Sequence, residues 1–293
     1  MATPTLTANG LAPLLNTYTI SSAPPRTIVV AEASKLSGLS DITVSGKLLK
    51  KQLVKLDLGT GKRTAALAAG SGVYKAEPGD GDLHFCLGIK QGQPHIACEL
   101  QNAKAFLAIF NNGIGRTISV SGFFRCMFEH PGFRANDDAH IFEIHPVRAV
   151  SIGGSIHSFN VDIPEQKAIH TWTQPHNLND QDNRIAVRYD KAKDTLTFSG
   201  MDGQDENYVH ISGSVSNVKL NANTATPASF VLDSTDIGHP IQVYALQGTS
   251  AARQLRQLKA SAVQMIALRN IDLSQALKSK YVINLLAIDI QAG

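Results

Sequence analysis

Between Gly79 and Val150 the chain alternates so regularly that few architectures can accommodate it. Leu83, Phe85 and Leu87 fall on one face of an extended run. The chain then turns through Lys90-Gln91-Gly92-Gln93, and Ile96, Cys98 and Leu100 come back. Period-two alternation broken by a glycine-bearing turn is a β-hairpin, with Asp80, Asp82, His84, His95 and Glu99 on its wet face. Ala103 to Phe110 next places Phe106, Ile109 and Phe110 at helical spacing before Asn111-Asn112-Gly113, which predicts a short buried helix. Two more strand-like runs follow, Arg116 to Phe128 and His140 to Val150, joined by the polar turn EHPGFRANDD. The order is strand, strand, helix, strand, strand.

The 293 residues exceed one typical core, and at roughly 150 residues per domain they suggest two. Apolar residues make up 43% of the chain and charged ones 17%, below the ~25% usual in globular proteins, so the chain can bury cores. Abundant Ile, Val, Thr and Ser, with aromatics at only 6%, favour strands, and the predicted class is mainly β. A formal net charge of +3 is too weak a field to draw in a polyanion unaided, so a nucleic-acid site has to be a local patch. Cys86, Cys98 and Cys126 form neither a C-x-x-C pair nor an even set and read as buried thiols. The first residues lack a basic segment ahead of a long apolar one, and no run reaches the ~18 apolar residues of a membrane span. The expectation is a cytoplasmic protein with no membrane partner.

Residues 1–40 read as an irregular arm with one edge strand at Thr27–Val30, and Asp41 to Leu58 as a long strand with a bulge. The stretch GTGKRTAALAAGSG is a loop carrying Lys62 and Arg63. Residues 153–183, polar and weakly periodic around Trp172, read as a linker with one strand at Ser158–Val161. Strand patterning resumes from Arg184, at Ile185–Val187, Thr195–Phe198, Tyr208–Leu220 and Ser229–Leu232. An internal echo supports a repeat: GQPHIACELQ from Gly92 and GHPIQVYALQ from Gly238 share Gly, Pro, Leu and Gln at matching offsets. Each is followed by a helical run and two strands. In the second copy these are Ser250–Lys259, then Ala262–Leu268 and Tyr281–Ile290 around a helical DLSQALKS insert. The predicted architecture is two tandem small Greek-key β-barrels, over 41–152 and 184–293, each with a helix before its last two strands.

That layout resembles the OB-fold superfamily, and GDGDLHFCL followed by EIHPV is similar to OB-like modules of uncharacterised bacterial proteins. The resemblance implies a non-enzymatic binding protein without a cofactor, its barrel surface holding a linear polymer, with single-stranded nucleic acid as the first candidate. It places ligand across strands two and three, between the loop after strand one and the loop joining strands four and five. Those places correspond to Lys62, Arg63, Tyr74 and Lys75, to His84 and His95, and to Phe133 and Arg134.

Other chemistry has thinner support. Asp82-Leu83-His84 and Glu143-Ile144-His145 are acid-x-histidine pairs whose members share a strand face, and four such donors together would suit zinc or manganese in a metal-dependent hydrolase. The competing reading is a solvated β-face, with His145 at a strand end. A nucleophile elbow is absent, and GTGKR lacks the G-K-[ST] ending of a phosphate loop. Arg116, Arg125, Arg134, Arg148, Arg253, Arg256 and Arg269 are interspersed with acids and read as solvated. Phe124 and Phe128 share parity with Val120 and belong inside, whereas Phe133 lies in a polar loop. A second class of function is a structural protein that self-associates through the N-terminal arm and barrel edges.

Overall fold

The alternation is used to close two barrels. A computed structural model describes residues 5–6, 18–21, 25–56, 63–66, 81–88, 95–100, 103–110, 113–129, 140–159, 185–201, 208–221, 227–235 and 237–293. Its elements begin with β1 (Thr5–Leu6), β2 (Tyr18–Ile20), β3 (Arg26–Ala31), the 3-10 turn η1 (Ala33–Leu36), β4 (Asp41–Leu56) and β5 (Arg63–Ala66). They continue with β6 (Gly81–Gly88), β7 (His95–Leu100), the 3-10 helix η2 (Ala103–Phe110), β8 (Thr117–Glu129), β9 (His140–Ile152) and β10 (Ser155–Ser158). Beyond these come β11 (Ala186–Asp190), β12 (Thr195–Met201), β13 (Tyr208–Lys219), β14 (Ala228–Ser234) and β15 (His239–Ala245). The chain ends with α1 (Ser250–Gln257), β16 (Ala262–Ile271), α2 (Leu273–Ala276) and β17 (Ile283–Ala292).

In the first half, β4 pairs with β6, β6 with β7, β7 with β9 in parallel, β9 with β8, and β8 back with β4. In the second, β13, β14, β15, β17 and β16 close in the same sequence of pairings, again with the third and last strands parallel. Both are therefore five-stranded OB-type barrels in tandem, each with its helix ahead of the final two strands. The long first strand has its expected bulge, a register shift between Leu48 and Lys50.

Inward positions follow the alternation. Leu83, Phe85 and Leu87 of β6, Ile96, Cys98 and Leu100 of β7, and Phe124, Cys126 and Phe128 of β8 are at most 2% exposed. Each such Leu, Ile or Phe side chain contributes about 1.5–3 kcal/mol by leaving water. The helix η2 closes this barrel, with the Phe110 ring 5.1 Å from that of Phe85. In the second barrel α1 plays the same part. Thr249 caps it by accepting from the Ala252 amide at 3.3 Å, while Ala251, Ala252 and Leu255 are buried and Arg253 and Arg256 exposed.

Several expectations need correction. The strand at Arg26–Ala31 is not an edge, since β3 lies between β12 and β2 in a separate four-stranded sheet ordered β11-β12-β3-β2. The runs at 185–187 and 195–198, assigned to the second barrel by their alternation, form β11 and β12 of that sheet instead. Alternation marks a strand but does not name its neighbour. The described arm strands pair within this chain, β1 on β4 and β2 on β3. The strand expected at 158–161 is not where the structure has one: β10 covers Ser155–Ser158 and pairs with β9, and residues 160 and 161 lie outside the described residues.

The echo holds as element order but not as letters. Ile96, Cys98 and Leu100 face the first barrel's core, whereas their sequence counterparts Tyr244 and Leu246 lie in a second apolar cluster outside it, and it is Ile241, Val243 and Ala245 that face in. A one-residue offset reverses every side chain in a strand, so the four matching letters are out of register with the fold.

That second cluster joins the barrels. Phe123 of β8, on the outward parity, meets Leu246, Ile266, Leu268, Leu286 and Ile288. Around it Asn270 Oδ1 accepts from the Cys126 amide at 2.8 Å, and Arg148 pairs with Asp41 while reaching the Gln247 carbonyl at 3.4 Å. Among the described residues no helix is long and apolar enough to cross a membrane.

Candidate functional site

The outer face of the first barrel ought to be wet, yet across four strands it carries a buried row of charge. Register explains the row. His84 lies opposite Glu99 between β6 and β7, Ala97 opposite Glu143 between β7 and β9, and Arg125 opposite Glu143 between β8 and β9. Residues opposite one another share a face, so these side chains point away from the core that Phe85, Cys98 and Phe124 fill. Docking of the second barrel covers the β8 end, where Arg125 Nε donates to the Arg269 carbonyl. Glu99, Arg125, Glu143 and His145 are all at most 2% exposed.

The groups form an alternating chain of carboxylates and imidazoles. His84 Nε2 stands 3.2 Å from Glu99 Oε2, and Glu99 Oε1 stands 3.4 Å from His145 Nε2. On the other edge of the same ring, His145 Nδ1 is 2.9 Å from Glu143 Oε1, and Glu143 Oε2 is 3.2 Å from His140 Nε2. Arg125 Nη1 also donates to Glu143 Oε1. Glu99, Glu143 and His145 each offer a donor atom within 4.8 Å of the other two. His145 is wholly buried at the centre, while the side chains of His84 and His140 are 24% and 12% exposed at the ends.

Burial works to raise the Glu143 carboxyl, but the charges of His145 and Arg125 and the hydrogen bonds from His140 and His145 outweigh it and hold the group well below its ordinary range. The neighbouring thiol moves the other way: burial first, then Cys86 and Glu143, raise Cys98 well above an ordinary cysteine.

Of the residues expected at a site, the structure brings together His84, Glu143 and His145, and it overturns the reading of the last two as solvated, with His145 inside β9 rather than at its end. Arg125 and Arg269, read as surface cations, are buried against the other barrel. Arg63 opens β5, Asp82 lies in β6 and His95 opens β7, their side chains being outside the described set. Lys62, Tyr74, Lys75, Phe133 and Arg134 also lie outside the described residues. Glu99, Arg125 and His140 were missed as members of this cluster. The one available signal was the shared parity of Glu99 and His84 on the hairpin.

A second feature lies on the loop joining the last two strands of the second barrel. It contains α2, capped by Asp272 accepting from Ser274 N at 2.8 Å, followed by exposed Lys278 and Lys280. Ser279 Oγ accepts from the Tyr189 amide at 2.8 Å, which brings this loop to β11 and to exposed Arg188, Lys191 and Lys193. The described acids nearby are engaged. Asp194 accepts from Ser34 N at 2.8 Å, Ser34 Oγ at 2.7 Å and Tyr189 Oη at 2.9 Å, and Asp190 accepts from the Ala192 and Lys193 amides.

No family model matches the chain, and no curated protein matches it. Among solved structures it is similar to the single-stranded DNA binding protein from Thermus aquaticus, at 10% identity and a TM-score of 0.23 over 87% of this chain and 93% of that one. It is also similar to the Ifi202 HINa domain crystallised with 20bp dsDNA, at 9% identity and a TM-score of 0.23 over 85% of this chain and 94% of that one. At those scores neither adds to what the barrel connectivity establishes: this is a chain of two OB-type barrels.

Proposed function

We propose that this protein binds single-stranded nucleic acid, chiefly through backbone phosphates, with the strand crossing the loop between β16 and β17. The observation that carries the reading is the junction of Lys278 and Lys280 with Arg188, Lys191 and Lys193 through the Tyr189 to Ser279 hydrogen bond. It gathers cations from two sheets at a loop where OB barrels take ligands. The strand-two and strand-three face of the first barrel is the less suitable surface, because buried Glu99 and Glu143 would repel a polyanion there. For the first barrel, Lys62, Arg63, Tyr74, Lys75, Phe133 and Arg134 are the residues to test, together with His84 and His95.

The exposed large apolar side chains among the described residues are Ile114, Ile156, Val218, Leu220 and Val282, none of them aromatic. Affinity should therefore come from charge more than from base stacking, and be tolerant of sequence. Fluorescence anisotropy with a labelled oligonucleotide tests this. Lys278→Glu with Lys280→Glu should weaken binding at least about tenfold at low salt, as expected for removal of phosphate contacts. Binding unchanged in that variant and in Arg134→Ala with Phe133→Ala would overturn the assignment.

A further inference from the structure

Three arginines that the phosphate contacts above do not use converge on one short segment at the barrel junction, residues 247–250, which lead from β15 into α1. Gln247 and Thr249 are buried there. Thr249 Oγ1 donates to the Leu246 carbonyl at 2.7 Å and Gln247 Nε2 to the Asn221 carbonyl at 3.2 Å, so the segment is fixed from both sides. From the first barrel, Arg148 Nη1 of β9 donates to the Gln247 carbonyl at 3.4 Å. From α1, Arg256 Nη2 donates to Gln247 Oε1. Arg253 folds back, with Nη1 donating to the Gly248 carbonyl at 3.2 Å and Nη2 to Ser250 Oγ at 2.7 Å. A carbonyl, an amide oxygen and a hydroxyl orient a guanidinium without neutralising it. The one carboxylate in these contacts is Asp41, on Arg148. No described carboxylate pairs with Arg253 or Arg256, and α1 has no acid in its first turn. Asp289, which α1 also meets, is taken by Gln254 at 2.7 Å and Gln291 at 2.8 Å.

We propose that this cluster binds one phosphate group, with exposed Arg253 and Arg256 contacting it and Arg148 adding charge from the other barrel. Three guanidiniums against one carboxylate leave two positive charges, which suits a phosphate better than a singly charged carboxylate. Guanidinium N–H groups meet phosphate oxygens in pairs, and a lysine in the same place would supply only a point charge. Exposed arginines otherwise range through many rotamers, and turning them onto one segment beforehand lowers the cost of ordering them around a ligand. A backbone phosphodiester and a free phosphate ester share this chemistry. The site stands apart from the lysine-bearing loop: α1 meets β17 at Asp289, whereas that loop ends before Ile283, about 20 Å back along the strand at ~3.3 Å per residue. It uses none of the residues assigned to nucleic acid above.

Two measurements on the full-length chain test it: calorimetric titration with sodium phosphate, ionic strength being held constant with sodium chloride, and the salt dependence of binding to a labelled single-stranded oligonucleotide. Wild type should take up about one phosphate per chain, and Arg253→Gln with Arg256→Gln should weaken uptake at least about tenfold, the scale of losing one charge-assisted hydrogen bond. Both side chains are exposed, so this variant should keep the wild-type far-ultraviolet spectrum. Lys259→Gln, which removes an exposed cation just past α1, is the control and should bind phosphate as wild type does. Where a backbone phosphate occupies the site, the slope of log affinity against log salt should also shrink by about 1.4 in the arginine pair, two contacts at about 0.7 each. Phosphate uptake lost with an unchanged slope assigns the site to free phosphate esters, and a smaller slope without uptake of inorganic phosphate assigns it to the backbone alone. If no oligonucleotide binds, the loop assignment above fails by itself and the phosphate titration decides this one. No phosphate uptake by wild type without any change in slope, or equal weakening in Lys259→Gln, would overturn the site.

Discussion

Arg125 of the first barrel reaches Arg269 of the second: its Nε donates to the Arg269 backbone carbonyl while its Nη1 holds Glu143. Both arginine side chains are at most 2% exposed, so one guanidinium serves the barrel junction and the charge row together. Arg125→Ala strips Glu143 of a partner and leaves an uncompensated charge out of water, a change that costs about 3–5 kcal/mol in buried pairs. Urea unfolding of the variant should show that loss. A change below ~1 kcal/mol, the range of exposed pairs, would mean that Arg125 is solvated in solution.

Gly122 marks a close approach between β8 and β9. A Cβ there would sit 2.4 Å from the Pro146 carbonyl oxygen and 2.6 Å from Ile144 Cγ2, where the register shifts. Backbone cannot step aside as a long side chain can, so Gly122→Ala is expected to destabilise by about 1–3 kcal/mol. Thermal unfolding against wild type checks it, with Gly115→Ala as the contrast. At Gly115 a Cβ meets nothing within 4 Å, and the cost there is that of a positive φ of 83° alone.

How much of this could be read in the sequence depends on what local patterning encodes. Both barrels, the bulge near Leu49 and the two helices were legible, because alternation and helical spacing are local and each barrel's strands are contiguous in the chain. The destination of β11 and β12 was not, since Thr195–Phe198 alternates equally well for any partner and only the tertiary structure pairs it with β3. Arg125 and Arg269 looked solvated for the same reason. An outward residue on a strand reads as wet until another domain covers it. The shared letters around Leu100 and Leu246 point to opposite faces, so likeness of residues misled where likeness of element order did not.

None of the three cysteines is in a disulfide, and they differ in access, with Cys98 and Cys126 buried and Cys86 half-buried on the outer face. Burial pushes the Cys126 thiol up, the Arg125 charge opposing it, and Cys98 moves the same way. Thiolate is the reactive form, so Cys86 should be labelled first by iodoacetamide at mildly alkaline pH, and the other two only on unfolding. Peptide mass spectrometry reads the order, and early labelling of Cys98 would contradict the barrel packing.

Asp194 ties η1 to the β11–β12 turn. Hydrogen bonds from the Ser34 side chain, working against slight burial and helped by the Ser34 amide, Tyr189 and Lys35, hold its carboxyl below the ordinary 3.8. A depressed carboxyl stabilises fully above its ordinary value and loses that contribution as pH falls through the lowered one. Protection of the Ser34 amide against hydrogen exchange should thus be flat from neutrality to about pH 4 and fall below it. In Asp194→Asn that acid-side fall should vanish. Residue 194 has φ 48°, a conformation asparagine tolerates, so the substitution should leave the turn in place.

The most direct test of the functional account is the salt dependence of wild-type binding to a labelled single-stranded oligonucleotide, followed by anisotropy from about 50 to 200 mM salt, the span over which phosphate contacts are screened. With four or so phosphates neutralised, log affinity should fall against log salt with a slope near −3, at about −0.7 per contact on single strands. Absence of binding at the lowest salt, or an affinity indifferent to salt, would contradict the account.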